Sequence, residues 1–490
     1  MSPELQAFHD RLFELAQLQP QATALLGEHQ TLNYEQLASE IEWRRERLHD
    51  TGARVIALAL DNGPDALLWD LAALFQGLAC VTLPPFFSAG QRLHCLDQSQ
   101  AELVIAPAEQ CAELRAAGYR LSGEFWRRTN PGLAHLPAAT AKLTFTSGTT
   151  GTPKGVCLSA DSILKVARSL HQASQSQQPQ QYLSLLPLGV LLENIGCYAA
   201  LYAGASLSLP GQATLGIQGA SAVDVARLLT TLAKLRPDSM ILVPQLLLVL
   251  VSACEAGHLD PRALRFVAVG GAKVSQALLR RADAAGIPVF EGYGLSECAS
   301  VVALNCPANK RPGSVGKPLP HVEVRLAEDG EIMVAGANLL GYLGDDSPMP
   351  DWWPTGDLGA FDAEGFLYLN GRKKHQFVTS FGRNVNPEWV EAELTQGGVI
   401  GQALVYGEAL PHNRALLWPL RPETTEQQLA QAVAHANRVL PDYAQVHGWV
   451  RLEQPFTAQN GMATANGRPR RDAILALHRQ YLTGHIAENP

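Results

Sequence analysis

The chain is built from two kinds of apolar pattern that take turns. Residues 4–18 carry apolar side chains at helical spacing, and Thr31-Leu-Asn-Tyr-Glu-Gln-Leu opens a second such stretch that runs to about Leu48. Short unbroken apolar runs then appear: Val55-Ile-Ala-Leu-Ala-Leu, Ala79-Cys-Val-Thr-Leu and Leu103-Val-Ile-Ala. Each stops at a breaker, namely Asp61-Asn-Gly-Pro, Pro84-Pro85 and Pro107. Runs of this length predict buried strands, and Asp65 to about Gln76 between two of them predicts a helix. Strands that alternate with helices imply parallel sheets covered on both faces.

The same rhythm continues downstream. A helix is predicted near 160–174, followed by a Gln/Ser linker at 172–181 and the apolar run Leu183-Ser-Leu-Leu-Pro-Leu. Asp224–Leu235 reads as a helix, Ser239-Met-Ile-Leu-Val-Pro as a strand, and Leu264–Ala272 as a strand that runs into glycines. Val274–Ala285 is helical, and Pro288–Gly294 is another strand ending in glycines. From Ser314 to Leu369 the runs shorten and alternate around Asp-Gly and Glu-Gly turns. That predicts hairpins at His321–Val334 and Gly359–Leu369, and a small β-subdomain. Beyond Gly371-Arg372 the charge density rises, and a compact α+β unit of about 115 residues is predicted. The expected fold class is therefore α/β. A large N-terminal domain over 1–373 holds two parallel-type sheet subdomains and a small barrel-like β-subdomain, and 374–490 form a second domain.

Composition narrows the class. The 490 residues are 47% hydrophobic and 17% charged, an ordinary globular balance with ample core. A formal net charge of -8 gives no general attraction to nucleic acid or anionic membranes. The eight cysteines include no Cys-x-x-Cys pair, which argues for reduced thiols and against a structural zinc or a disulfide frame. Met1-Ser-Pro-Glu-Leu-Gln lacks the basic and then apolar order of a signal peptide, so a cytoplasmic location is expected. The most apolar region, Tyr182–Leu209, is broken by Pro187 and carries Glu193 and Asn194. A buried strand, loop and helix fit it better than a membrane span.

The chemistry concentrates in Leu143-Thr-Phe-Thr-Ser-Gly-Thr-Thr-Gly-Thr-Pro-Lys-Gly155. Glycines let several N–H groups turn toward one anion, hydroxyls add donors, and Lys154 adds a positive charge. That is a phosphate-gripping loop at a strand end, and it lacks the Gly-Lys-Ser/Thr ending of the common P-loop. Four further clusters stand out: Glu291-Gly-Tyr-Gly-Leu-Ser-Glu297, Trp353-Pro-Thr-Gly-Asp357, Gly371-Arg-Lys-Lys374 with Ser380–Glu388, and Asn460–Arg471. Taken singly, Asp357 reads as a turn cap, Glu297 as a solvated helix-start acid, and Arg372 and the C-terminal arginines as surface charge. Their joint occurrence is what carries information.

In this order and spacing the clusters resemble the adenylate-forming superfamily of acyl-CoA synthetases, luciferases and peptide-synthetase adenylation domains. The resemblance covers nearly the whole chain, including Pro312-Gly-Ser-Val-Gly-Lys-Pro. It implies that Thr146, Ser147, Gly148, Thr149, Thr150, Gly151 and Lys154 grip the β- and γ-phosphates of ATP. It implies an adenine slot formed by Gly270, Gly271 and Ala272 with Glu291, Gly292, Tyr293 and Gly294, the tyrosine stacking on the base. Ser296, where the family has threonine, would contact the α-phosphate. Glu297 would hold Mg²⁺, and Asp357 and Arg372 would bind the ribose hydroxyls. A vicinal diol suits a carboxylate acceptor, and Mg²⁺ prefers one carboxylate with phosphate oxygens.

The implied reaction has two halves. A carboxylate attacks the α-phosphorus and pyrophosphate leaves; a thiol then attacks the acyl carbon and AMP leaves. The C-terminal domain would swing between the halves about a hinge at Lys374. Phe381, Gly382 and Arg383 would then approach the pantetheine arm, with Phe381 where the family has glycine. The catalytic lysine of the family's last motif is Arg468 here, a planar fork in place of a compact ammonium. Val190, Glu193, Asn194, Val243, Gln245 and Leu295 would wall the acyl pocket.

No basic side chain awaits a second carboxylate in those segments, so an apolar acid is expected, a medium- or long-chain fatty acid before an aryl acid. The acceptor is CoA or a carrier-protein phosphopantetheine, and the protein is expected to be a monomer or homodimer. A degenerate adenylate-binding protein is the rival reading, suggested by Arg468 alone.

Overall fold

The computed structural model describes residues 1–146, 154–218, 222–464, 467–478 and 481. Its first helix, Pro3–Leu18, buries Leu5, Phe8, Leu12 and Leu15 along one stripe. The second begins later than expected, because Thr31–Asn33 is a short edge strand and the helix is Tyr34–His49. Asn33 decides the switch. Its Oδ1 accepts the Gln36 N–H at 2.8 Å, while the Gln36 side chain accepts the Asn33 N–H at 3.0 Å. This reciprocal cap satisfies two otherwise orphaned donors.

Two large sheets carry the N-terminal part. One has eight strands in the order Gly341–Tyr342, Lys154–Ser159, Thr140–Thr146, Ala79–Thr82, Val55–Leu58, Leu103–Ile105, Phe125–Arg128 and Tyr119–Ser122. Its four central strands run parallel and its flanks antiparallel. The other has nine strands around a parallel run of Val289–Tyr293, Phe266–Val269, Ser239–Leu242, Gln181–Leu183, Ser206–Ser208 and Thr23–Leu26. Its edges are again antiparallel. The parallel sheets expected from the helix–strand rhythm are thus present at the centres. Two of the antiparallel edge pairs, Thr140–Thr146 with Lys154–Ser159 and Thr23–Leu26 with Thr31–Asn33, are joined by short connections that need no crossover helix.

The helix Pro64–Gln76 joins the two sheets. Leu67, Leu68 and Leu71 pack into the core shared with the nine-stranded sheet, whereas Trp69, Ala72 and Ala73 pack against Ile56, Leu58 and Cys80 of the other. A helix apolar on all sides fits only where it is covered on all sides.

The small β-subdomain is an open antiparallel sheet of Glu323–Leu326, Glu331–Ala335, Trp353–Phe361 and Leu367–Arg372. Four strands leave two edges, so the barrel-like expectation reduces to an open sheet. After Phe377 the chain builds its own cores around the strands Ile400–Tyr406, Asn413–Pro419 and Val446–Arg451, with helices Pro387–Thr395 and Glu426–Asn437. Among the described residues no helix is long and apolar enough to cross a membrane.

Candidate active site

The strands Thr140–Thr146 and Lys154–Ser159 form an antiparallel pair in which Thr146 faces Lys154. Ser147, Gly148, Thr149, Thr150 and Gly151, which connect them, lie outside the described residues. Thr146 Oγ1 donates to the Lys154 carbonyl at 3.4 Å, closing the base of the hairpin. The Lys154 ammonium sits 5.5 Å from the centroid of the Tyr342 ring. The Tyr342 hydroxyl in turn donates to Glu297 Oε1 at 3.1 Å. Tyr342 thus links the expected phosphate lysine to the expected metal carboxylate. The sequence reading missed it, and its only signal is a Gly-Tyr pair whose short strand pairs with Val156 and Cys157.

The glycine slot is formed by two parallel neighbours, Phe266–Val269 and Val289–Tyr293, with Val269 opposite Glu291. Gly271 follows in the left-handed region at φ +81. A Cβ on Gly270 would lie 3.3 Å from the Gly292 carbonyl, and one on Gly294 would lie 1.7 Å from the Ser300 carbonyl. A side chain at Gly270 would crowd the neighbouring strand, and one at Gly294 would collide with the backbone of the turn that follows it. Ala272 is exposed beside them, and Val243 packs against the Gly271 backbone. Glu291 is buried, and that burial pushes its carboxyl up to about 7 against Lys273 and the Val274 N–H. Its Oε2 has no hydrogen-bond partner.

Asp357 and Arg372 stand directly opposite each other in the hairpin of Trp353–Phe361 and Leu367–Arg372. Arg372 Nε lies 2.8 Å from Asp357 Oδ1, and the Tyr293 hydroxyl donates to Asp357 Oδ2 at 2.7 Å. Burial raises the Asp357 pKa, and Arg372 and Tyr293 work against that rise. Three residues from three separate sequence clusters therefore meet at one carboxylate. Ser296 and Glu297 occupy the short 3₁₀ turn Ser296–Cys298 just after Tyr293, half-buried.

Arg468 comes from the far end of the chain. Its loop is closed by Arg468 N–H to Thr464 Oγ1 at 3.0 Å and by Thr464 N–H to the Arg468 carbonyl at 2.8 Å. The guanidinium Nη2 donates to the Gly271 carbonyl at 3.1 Å. Although part of the side chain is open to solvent, the head lies deep in the cleft, within electrostatic reach of Arg372, Glu388, Asp357 and Glu297. Crowding by protein atoms and by Arg372 lowers its pKa, and the guanidinium stays charged regardless. Glu388 is a second residue the sequence reading did not single out as a site group. It also acts on Lys374, whose pKa is lowered by partial burial and by Arg372.

Some expected pocket residues are placed elsewhere. Glu193 and Asn194 sit in the helix Leu191–Ala203 and turn into the core. Glu193 accepts the Tyr182 hydroxyl at 2.8 Å and the Leu186 N–H at 3.0 Å, and has no exposed surface. Burial pushes its carboxyl up to about 8. Asn194 Nδ2 donates to Asp70 Oδ2 at 2.7 Å, in a buried node where Asp70 also meets Lys142 and Tyr198. Glu193 is therefore enclosed in the core rather than open to a pocket, whereas Asn194 lines a small cavity with Asp70, Thr82, Leu188 and Gly189. Gln245 faces solvent in the first turn of the helix Pro244–Glu255. Val190 and Val243 precede the two helices that start in this region, and Leu295 is half-buried after Gly294. Phe381, Gly382 and Arg383 form the turn between Phe377–Val378 and Asn384–Val385, and Phe381 is 71% exposed.

Comparison with known proteins identifies the family. The profile of the family described as "AMP-binding enzyme" matches residues 12–343. A long-chain-fatty-acid–CoA ligase of Mycobacterium bovis is 29% identical over 397 residues, which cover 69% of this chain and 61% of that ligase. A 2-succinylbenzoate–CoA ligase of Bacillus velezensis is 29% identical over 428 residues, covering 82% of this chain and 85% of that protein. Among solved structures, the anthranilate CoA ligase AuaEII in complex with anthranoyl-AMP superposes with a TM-score of 0.80 at 19% identity, covering 97% of this chain and 98% of that one. With the family profile spanning well over half of its length, the chain belongs to the AMP-binding enzyme family.

Proposed function

We propose that the chain is an ATP-dependent, AMP-forming ligase that joins an apolar carboxylic acid to a thiol. The observation that carries this reading is the arrival of Arg468 at Gly271, beside the Tyr293–Asp357–Arg372 cluster. Arg372, Asp357 and Glu297 lie within electrostatic reach of Arg468, which supports adenylate formation at this place.

In the first half a carboxylate oxygen attacks the α-phosphorus and pyrophosphate leaves. In-line displacement at phosphorus needs mainly positioning and neutralisation of charge. Asp357 accepts from a ribose diol, Arg372 fixes Asp357, and Tyr293 borders the base. Arg468 sits where charge grows on the α-phosphate, taking the role of a lysine. Glu297 presents one carboxylate at the cleft, a donor set that suits Mg²⁺ shared with phosphate oxygens, and that ion would neutralise the triphosphate. In the second half a thiol sulfur attacks the acyl carbon and AMP leaves with the carbon–oxygen bonding pair. Residues 374–490 form the moving unit in this reading, with Lys374 at the hinge and the Phe381 turn approaching the pantetheine arm.

The half-buried apolar residues Val190, Val243 and Leu295 support an apolar acid as substrate, as do the relatives. Long-chain-fatty-acid–CoA ligases support a medium- or long-chain fatty acid. An aryl acid is second, supported by the wider coverage of 2-succinylbenzoate–CoA ligase. CoA is the acceptor these relatives' names support, and a carrier-protein phosphopantetheine presents the same thiol. A panel of fatty and aryl carboxylates assayed for pyrophosphate release, followed by mass detection of product with each thiol, tests the reading. Nucleotide binding without pyrophosphate release from any acid would instead mark a degenerate binding protein.

A further inference from the structure

The segment that receives Arg468 is also gripped from the other side. Gly271 is followed within four residues by Ser275, which caps the helix Gln276–Ala284 by accepting the Leu278 N–H at 3.1 Å. Ser275 Oγ donates in turn to Gln396 Oε1 at 2.9 Å. Gln396 lies just past the helix Pro387–Thr395, in the unit that carries Arg468. Its Nε2 donates to Glu393 Oε2 at 2.6 Å, and its carbonyl accepts Arg281 Nη1 at 3.2 Å. Glu393 also accepts the backbone N–H of Gln276. Ser275, Glu393 and Gln396 are 5%, 5% and 8% exposed, so water cannot replace these bonds without opening the interface.

We propose that Gln396, with Glu393, Ser275 and Arg281, is a positioning latch that holds the C-terminal unit so that Arg468 stays at the nucleotide slot. The inference rests on the ligase reading for its kinetic consequence and on geometry alone for its structural one. A buried side-chain amide that both donates and accepts is directional, so it favours one seating of the two surfaces. Both ends of its grip are short. Three residues separate the gripped Ser275 from Gly271, whose carbonyl Arg468 touches, and the latch residues lie outside the motif clusters. Gln396 touches no reacting atom in this arrangement; it acts through Arg468.

Two variants test the latch, Gln396→Ala and Arg281→Met, each checked for an unchanged circular-dichroism spectrum. Acid-dependent pyrophosphate release is expected to fall about tenfold in Gln396→Ala, which loses two buried hydrogen bonds, and less in Arg281→Met, whose bond to the Gln396 carbonyl is part-buried and which also gives up its pair with Glu255. Thioester formation from a supplied acyl-adenylate and CoA is expected to stay within twofold of wild type. Tryptic cleavage after Lys373 and Lys374 is expected to quicken, because the unit is less firmly seated. Unchanged pyrophosphate release, or an equal loss in both half-reactions, would overturn the proposal. If the wild-type protein releases no pyrophosphate with any acid, the ligase reading fails by itself. The cleavage rate then decides the latch, with faster cutting supporting it and equal rates refuting it.

Discussion

Arg468 donates from Nη2 to the carbonyl of Gly271 across 3.1 Å, although 197 residues separate them. That contact brings the last sequence cluster to the glycine slot and gives the arginine a defined place beside Asp357 and Glu297. Arg468→Ala is expected to lower acid-dependent pyrophosphate release at least a hundredfold, the loss of one charged contact to a transition state. Arg468→Lys is expected to retain most of the rate. Equal rates for Ala and wild type in a pyrophosphate assay would remove Arg468 from the chemistry.

Asp357 is held by the Tyr293 hydroxyl and by Arg372. Asp357→Asn keeps the shape but weakens the acceptor. It is expected to raise the KM for ATP about tenfold or more while the melting temperature moves little, as steady-state kinetics and a thermal melt would show. Arg372→Ala is expected to do the same and in addition to destabilise the fold, since it leaves Asp357 buried without its cation.

Asp70 and Lys142 form an ion pair with almost no exposed surface, and Asp70 also accepts from Tyr198 and Asn194. Burial works against the Asp70 carboxylate, yet Lys142, Tyr198 and Asn194 hold its pKa below the ordinary value. Lys142→Met is expected to cost about 3–5 kcal/mol in urea unfolding because it strands a buried charge. The double variant with Asp70→Asn is expected to recover part of that loss. No recovery in the double variant would mean that Lys142 acts through packing alone.

Glu193 gives a pH signature. Its carboxyl is pushed up to about 8 by burial, against an ordinary value of 4.5, so the folded protein keeps a proton that the unfolded chain has released. Stability is therefore expected to fall as pH rises from about 5 through about 8, by on the order of a few kcal/mol. Glu193→Gln should flatten that slope while lowering stability at the acid end, where it forfeits one acceptor. Urea midpoints at pH 5.5 and 8.5 would show it. Glu291, raised to about 7 in the same direction, accounts for some residual slope.

Much of this protein is determined locally and is readable as such. Helices and strands follow from the apolar period, because each must cover one face or both. The Tyr293 cluster, Asp357 and Arg372 were legible as groups that belong together, because glycine, hydroxyl and charge at short spacing have few other uses together. Tertiary structure decided what spacing cannot carry. A helix such as Leu191–Ala203, buried nearly all round, does not reveal from its pattern which face meets a ligand, so Glu193 reads as a pocket group while packing made it core. Tyr342, Glu388 and Gln396 are ordinary residues in ordinary surroundings, and they gain a role through Lys154, Arg468 and Ser275, which are 188, 80 and 121 positions away, separations that no local pattern encodes. The same holds for Arg468: its charge is a property of the sequence, and its position at Gly271 is a property of the fold.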